Sequence, residues 1–287
     1  MHKIKFKYFE NPKDIFSLIE NREWSVLLDS NHKKFSCQRF DIMTSDPVIK
    51  IHGRGKNSIV EDHQSQNVVS SDPISLLHDY MKGSFEHEDS LPFSGGAIGF
   101  LSYDQGNLYE SINQKTDDFD IPYVAFGIYD WALIINHDKK ETILIFQNNT
   151  ELIQKIREKL ESFKEDMKKY PYKINSDYKS NLSYEEYAKK FKRIKSYITE
   201  GDCYQINFSQ RFSLDYEGSS WGIYKKLSQC YGAPYSANLN YPFAKIMCFS
   251  PERFISQDGK VVETKPIKGT RPVLSDKKDN LKMIDEL

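Results

Sequence analysis

The sequence predicts an α+β protein, on three observations. Short segments in which apolar and polar residues alternate fill most of the first 150 positions, as half-buried strands require. One charged segment, 151–169, carries apolar residues at helical spacing along one side, and a second, 183–201, is bounded by helix start and stop signals. Late in the chain Asp258-Gly259 separates two short apolar-alternating arms, the strongest short-range signal for an antiparallel hairpin. These patterns fit the class and leave its architecture open.

Taken in order, Ile4, Phe6 and Tyr8 alternate with lysines and predict a first strand, followed by a helix over 12–20 and a buried strand over 24–28. Residues 53–70 and 86–89 read as surface loops, with a helix over 72–82. The stretches 128–135 and 142–146 predict a hairpin around Asn136-His137-Asp138. In 151–169, Leu152, Ile156, Leu160, Phe163 and Met167 share one helix face, and the charged opposite face puts that helix on a surface. Residues 170–181 mix Pro, Asn, Ser, Asp and Lys without periodicity and are the expected linker, dividing the chain into regions 1–170 and 182–287. Ser183 with Glu186 three residues on makes a capping box, Leu182 and Tyr187 are spaced for a hydrophobic staple, and Gly201 supplies the stop. Tyr204, Ile206 and Phe208 then alternate with Gln205, Asn207 and Ser209, predicting a strand with one apolar face. Leu281, Ile284 and Leu287 recur at helical spacing, so the sequence stops within a predicted helix.

Composition excludes several classes. Lys+Arg 40 against Asp+Glu 41 gives no overall field to recruit nucleic acid or anionic lipid. An aromatic content of 14% argues for a packed chain. Cys37, Cys203, Cys230 and Cys248 are scattered without a C-x-x-C pair and read as reduced thiols of a cytoplasmic protein. Met1-His2-Lys3-Ile4-Lys5 interrupts apolarity with charge, unlike a signal peptide, and the longest apolar run, 131–135, is too short for a bilayer. The seven histidines show no H-E-x-x-H or paired metal spacing. Gly95, Gly96 and Gly99 lack the strand-to-helix context of a nucleotide loop and read as a tight turn.

Three collinear motifs carry the functional signal: 201–212, Gly-Asp-Cys-Tyr-Gln-Ile-Asn-Phe-Ser-Gln-Arg-Phe; 250–254, Ser-Pro-Glu-Arg-Phe; and 266–270, Pro-Ile-Lys-Gly-Thr. With Leu27-Leu28-Asp29-Ser30, Arg39-Phe40-Asp41-Ile42 and Pro92-Phe93-Ser94-Gly95-Gly96 upstream, the chain resembles the chorismate-binding enzymes over essentially its whole length. Without these motifs Lys268 would be a solvated turn lysine and Glu252 a surface ion-pair partner. Gln205 stands equally between the solvent face of a strand and a cavity.

The resemblance implies a fold of two antiparallel-rich β-sheets in a sandwich with helices outside and a ligand cleft between. Two positions select a branch. Anthranilate-forming members carry alanine at the position of Lys268, whereas the aminodeoxychorismate branch carries lysine. The water-adding members place a base lysine where this chain has Gln205, and an amide cannot deprotonate water. In the implied chemistry Lys268 attacks C2 of chorismate, Glu252 protonates the C4 hydroxyl, ammonia adds at C4, and the lysine is expelled. Gly269, Thr270 and Gln205 then contact substrate. A nucleophilic Lys268 must be partly neutral, and Lys265 and Arg253 are the expected nearby cations.

The resemblance further implies Mg2+, with ligands beyond Leu287, and a glutamine amidotransferase subunit that supplies ammonia; neither nucleic acid nor membrane is an expected partner. Set against the family, the sequence is expected to be C-terminally truncated, its sheet left incomplete and its activity alone lost. Leu28, Ser30, Pro234 and Tyr235 match, the last two only in part, the elements between which anthranilate-forming members hold tryptophan. An interlocked core is the plainer account of those four. Anthranilate synthesis and a non-catalytic chorismate- or tryptophan-binding remnant remain the alternatives.

Overall fold

The computed structural model describes residues 1–31, 39–82, 85–111, 119–164, 168–266, 269 and 271–286. They form two compact units, residues 1–166 with 227–287, and residues 167–226. The larger unit opens with β1 (His2–Phe6), α1 (Pro12–Phe16), β2 (Ser25–Asp29), β3 (Phe40–Thr44), β4 (Ile49–Arg54), β5 (Asn57–Asp62) and β6 (Gln66–Ser70). It continues through α2 (Pro73–Met81), β7 (Gly96–Leu101), a 3-10 turn (Tyr103–Leu108), β8 (Val124–Tyr129), β9 (Trp131–Asn136), β10 (Glu141–Phe146) and α3 (Glu151–Glu161). The smaller unit holds β11 (Tyr172–Ile174), β12 (Lys179–Ser180), α4 (Tyr184–Glu200), β13 (Phe212–Ser213) and β14 (Tyr216–Gly218). Helix α5 (Ser220–Tyr231) leads back into the larger unit, to β15 (Tyr235–Asn240), β16 (Lys245–Ser250), β17 (Ser256–Asp258), β18 (Val261–Glu263) and α6 (Lys277–Asp285).

Two antiparallel sheets make the larger unit: β1-β10-β9-β3-β2-β15-β16 and β6-β5-β4-β8-β7. They pack face to face, because Trp24, Val26, Leu239 and Tyr241 of the first sheet's layer share a buried cluster with Ala125 and Tyr129 of the second. The other face of the seven-stranded sheet is covered by helices: Ile15, Leu18 and Ile19 after and within α1, and Ile156 and Leu160 of α3, meet Met43, Trp131 and Leu133. On the five-stranded sheet, Leu76, Leu77 and Met81 of α2 pack with Ile51, Val60 and Ile128. The predicted sandwich with helices outside is the observed architecture.

Trp24 locks this core from an unusual backbone. Its φ of 58° is costly for a bulky residue. Three contacts hold it there: its N–H donates to Asn240 O at 2.6 Å, its carbonyl accepts from the Tyr129 hydroxyl at 2.8 Å, and its ring meets Tyr241 edge-on at 4.7 Å.

Local signals were met where the chemistry is local. Ser183 and Glu186 form the capping box at the start of α4, and Gly201 ends it at φ 85°. β9 and β10 pair as the predicted hairpin. Gly259, at φ 56°, turns β17 into β18 with Ser256 opposite Glu263.

Other expectations are corrected. The run 128–135 is two strands, β8 in one sheet and β9 in the other, broken at Asp130. Apolar residues on both sides of Asp130 hide the switch, since both strands are buried on both faces. Residues 53–70 contain strands β5 and β6 where a loop was expected; β6 is an edge strand whose polar residues face water. The expected linker carries β11 and β12, which pair with β14 and β13. Residues 204–208 form no strand, and Tyr204 is 97% exposed; alternation alone makes no ladder without a partner. Helices α1 and α3 are shorter than predicted, α3 ending at Glu161. The compact units also cut differently from the predicted regions 1–170 and 182–287, because β15 pairs with β2 and draws residues after 227 into the first sheet. Among the described residues, no helix is long and apolar enough to cross a membrane.

Candidate functional site

The 250–266 segment is built around the β17/β18 hairpin. Its start is fixed by Ser250, whose hydroxyl donates to Glu252 O at 2.9 Å and accepts from the Glu252 N–H at 3.4 Å. Across the hairpin, the Thr264 hydroxyl donates to Phe254 O at 2.8 Å. Between these, Glu263 gathers charge: Lys265 Nζ lies 3.0 Å from one carboxylate oxygen and the Arg253 guanidinium bonds the other. The hydrogen bond from Lys265, with both cations adding to it, holds the Glu263 carboxyl below its usual range. Arg253 and Lys265, the cations expected near Lys268, thus both pair with Glu263. Arg253 Nε is buried without a hydrogen-bond partner among the described residues.

Of the residues expected to act on substrate, Glu252 is half-buried and Gly269 exposed. Lys268 and Thr270 lie outside the described residues. Gln205 is exposed within the smaller unit.

The four residues of the expected tryptophan pocket are brought together by the β2/β15 pairing, with Leu28 opposite Ala237 and Asp29 opposite Ser236. Leu28 packs against the inter-sheet cluster, and Pro234 and Tyr235 are half-buried. Ser30 is 5% exposed, and its hydroxyl has no hydrogen-bond partner among the described residues. Asn31, at φ 48°, pins the two elements: its Nδ2 donates to Ala233 O at 3.0 Å and to Ser236 Oγ at 3.1 Å, while its Oδ1 accepts from the Ser228 hydroxyl at 2.9 Å.

A buried charged network that sequence reasoning missed lies beside it. Asp41 Oδ1 accepts from the Ser30 N–H at 2.7 Å, and Asp29 Oδ1 from the Asn31 N–H at 2.9 Å. His137 Nε2 is 2.6 Å from Asp41 Oδ2, and its Nδ1 is 2.8 Å from the Tyr8 hydroxyl. The short contact to a carboxylate puts a proton on Nε2. Lys13 Nζ reaches Asp29 at 2.7 Å. Lys13, Asp29, Asn31, Asp41 and His137 line a cavity of about 210 Å³ with Glu10, Asn11 and Gln229. Only the pairing of β3 with β9 brings residues 41 and 137 together, so no sequence spacing could have found the contact. Among the described residues, no group of three or more His, Cys, Asp or Glu is placed to hold a metal.

Comparison with known proteins places the chain in context. A family model described as chorismate binding enzyme matches residues 26–287. Aminodeoxychorismate synthase component 1 of Escherichia coli (strain K12) is 34% identical over 276 residues, covering 95% of this chain and 60% of the relative. The protein of the same name in Bacillus subtilis (strain 168) is 28% identical, covering 94% and 59%. The chain thus spans about 60% of the length of these curated relatives. Among solved structures, anthranilate synthase component I from Streptococcus pneumoniae TIGR4 superposes with a TM-score of 0.65 at 26% identity, covering 78% of this chain and 53% of that one.

Proposed function

Because this chain belongs to the chorismate binding enzymes, we propose that it supplies the acid and nucleophile of an aminodeoxychorismate synthase component I. The reaction is amination of chorismate at C4, with ammonia from a glutamine amidotransferase subunit, to give 4-amino-4-deoxychorismate for 4-aminobenzoate and folate. The observation that carries this is the lysine in Pro266-Ile267-Lys268-Gly269-Thr270. The aminodeoxychorismate synthase relatives, 34% identical in the Escherichia coli case, support the same branch.

Lys268 adds to C2 while Glu252 gives its proton to the C4 oxygen, which departs as water. Ammonia then forms the C4–N bond as the C2–N bond to Lys268 breaks, restoring the ring diene and the free amine. Gly269 and Thr270 follow Lys268 at the substrate, and Gln205, unable to act as a base, keeps water from competing. Mg2+, when bound, neutralises the carboxylate of a dianionic substrate. No described residue is assigned to it, and its ligands are sought beyond Leu287. The setting is the cytoplasm.

The test uses the protein translated from the whole reading frame that contains residues 1–287, given chorismate, Mg2+ and ammonium. Lys268→Ala abolishes product, and turnover equal to wild type removes the covalent role. Anthranilate synthesis is the runner-up, supported by the Streptococcus pneumoniae neighbour, and release of pyruvate would establish it.

A second reading concerns Leu28, Ser30, Pro234 and Tyr235 as a tryptophan pocket, favoured by the buried Ser30 hydroxyl, which has no hydrogen-bond partner among the described residues. Calorimetry with tryptophan, after denaturing and refolding to strip bound ligand, gives heat in wild type and less in Ser30→Ala; no heat in wild type removes the pocket.

A further inference from the structure

The two faces of the five-stranded sheet end differently at β5 and β6. On the outer face the cluster under α2 reaches Val60 and Val69. On the inner face one row of directly paired residues crosses all five strands: Phe100, Ala125, His52, Ile59 and Val68. Paired residues point to the same side of a sheet. The first three are covered, since Phe100 and Ala125 pack in the cluster of Trp24 and Tyr241, and the His52 ring lies 6.0 Å from Trp24 and 5.8 Å from Phe243. Among the described residues the cover thins from there: Ile59 is half-buried and Val68 is 83% exposed.

A cleft of about 540 Å³ opens at this step, lined by His52, Ile59 and Val68 of the row and by the Phe243 ring. Its rim is tied down. Arg54 Nε donates to Ile121 O at 2.8 Å and its Nη2 to Phe119 O at 2.7 Å, which holds the 119–122 backbone at the cleft. Arg54 also lies 3.4 Å from Asp120, so the two formal charges of the lining offset one another. A largely apolar lining of this size suits a small molecule. The hydrogen-bonding group on the row is His52. Burial pushes its imidazole below the usual 6.5, leaving it neutral at neutral pH with one nitrogen to donate and one to accept. Among the described residues neither nitrogen has a hydrogen-bond partner.

We propose that this cleft binds a small, uncharged hydroxyaromatic molecule, its ring on Ile59 and Val68 against Phe243 and its hydroxyl bonded to His52. Each part of that ligand answers an observation. The ring continues the apolar and aromatic layer where cover from the seven-stranded sheet runs out, and takes Val68 out of water. A hydroxyl both donates and accepts, so it pairs with either nitrogen of a neutral imidazole. A charged ligand would have to leave water for a lining whose own charges are already matched. None of the residues expected to act on chorismate lines the cleft, so the inference stands independently of the proposed function.

The probe is 4-fluorophenol, titrated against the whole-reading-frame protein and followed by 19F NMR. It binds wild type saturably at millimolar concentration, the range of a single-ring ligand. Val68→Trp, a change at an exposed strand position that keeps the fold, fills the cleft and weakens binding about tenfold or more. His52→Phe keeps a ring in the wall but removes its hydrogen bond, and weakens binding about fivefold. Fluorobenzene, which lacks the hydroxyl, binds wild type and His52→Phe within about twofold of each other. No saturable binding of 4-fluorophenol by wild type overturns the proposal, and so does an affinity left unchanged by either substitution. Added tryptophan leaves the probe bound; displacement by it would assign the probe to the β2/β15 elements and overturn the assignment to this cleft.

Discussion

The outer face of the β2-β3-β9 sheet and the β17/β18 hairpin each hold a bonded set of charges, and they treat them in opposite ways. In the sheet, the side chains of Asp29, Asp41 and His137 are at most 1% exposed. In the hairpin, Arg253, Glu263 and Lys265 are 32%, 45% and 72% exposed. A buried charge stripped of its partner is strongly destabilising, whereas an exposed pair costs little to break. The first network therefore pins the fold and the second is free to tune chemistry. The resemblance touches both: Asp29 and Asp41 belong to its upstream segments, and the expected acid, Glu252, lies just before the hairpin.

Breaking the sheet network gives the largest effect on stability. Asp41→Ala strands His137 and frees the Ser30 N–H, and denaturant unfolding loses about 3–5 kcal/mol. A loss near zero would place that network in solvent and erase the contrast. A milder cut is Tyr129→Phe, which removes one hydrogen bond to the strained Trp24 backbone and costs about 1 kcal/mol by the same measurement.

His52 sharpens the comparison through pH. Burial beside Trp24 and Phe243 pushes its imidazole below the usual 6.5. Since the folded value is the lower one, the unfolded chain takes up the proton first as pH falls below 6.5, and stability drops until the folded value is passed. Between pH 7 and 5.5 the wild-type melting temperature falls further than that of His52→Gln, by on the order of 1 °C. The smallest change is the hairpin's own: Glu263→Gln leaves the melting temperature where it was, because its ion pairs are exposed. A marked drop would move the hairpin into the same class as the sheet network.

What the sequence disclosed follows the range of each interaction. The Ser183/Glu186 cap, the Gly201 stop and the Asp258-Gly259 turn are decided within a few residues and could be read directly. So could the motif residues, which are recognised by pattern. The sheet change at Asp130 could not, because Ile128 and Leu133 are equally apolar and only tertiary pairing separates them. The alternation of Tyr204, Ile206 and Phe208 misled for the converse reason: it has a strand's pattern and no strand to pair with among the described residues. The Asp41–His137 contact needs the β3/β9 register, and the Glu263 clamp needs the hairpin's, where Ser256 opposite Glu263 brings residue 263 near Arg253.

The most direct test of the central claim is the product made from chorismate and ammonium by the whole-reading-frame protein, followed by mass spectrometry with pyruvate assayed alongside. The account predicts 4-amino-4-deoxychorismate with its enolpyruvyl group retained, formed by wild type and lost in Lys268→Ala. Anthranilate with an equivalent of pyruvate, or product formation undiminished by Lys268→Ala, would contradict it.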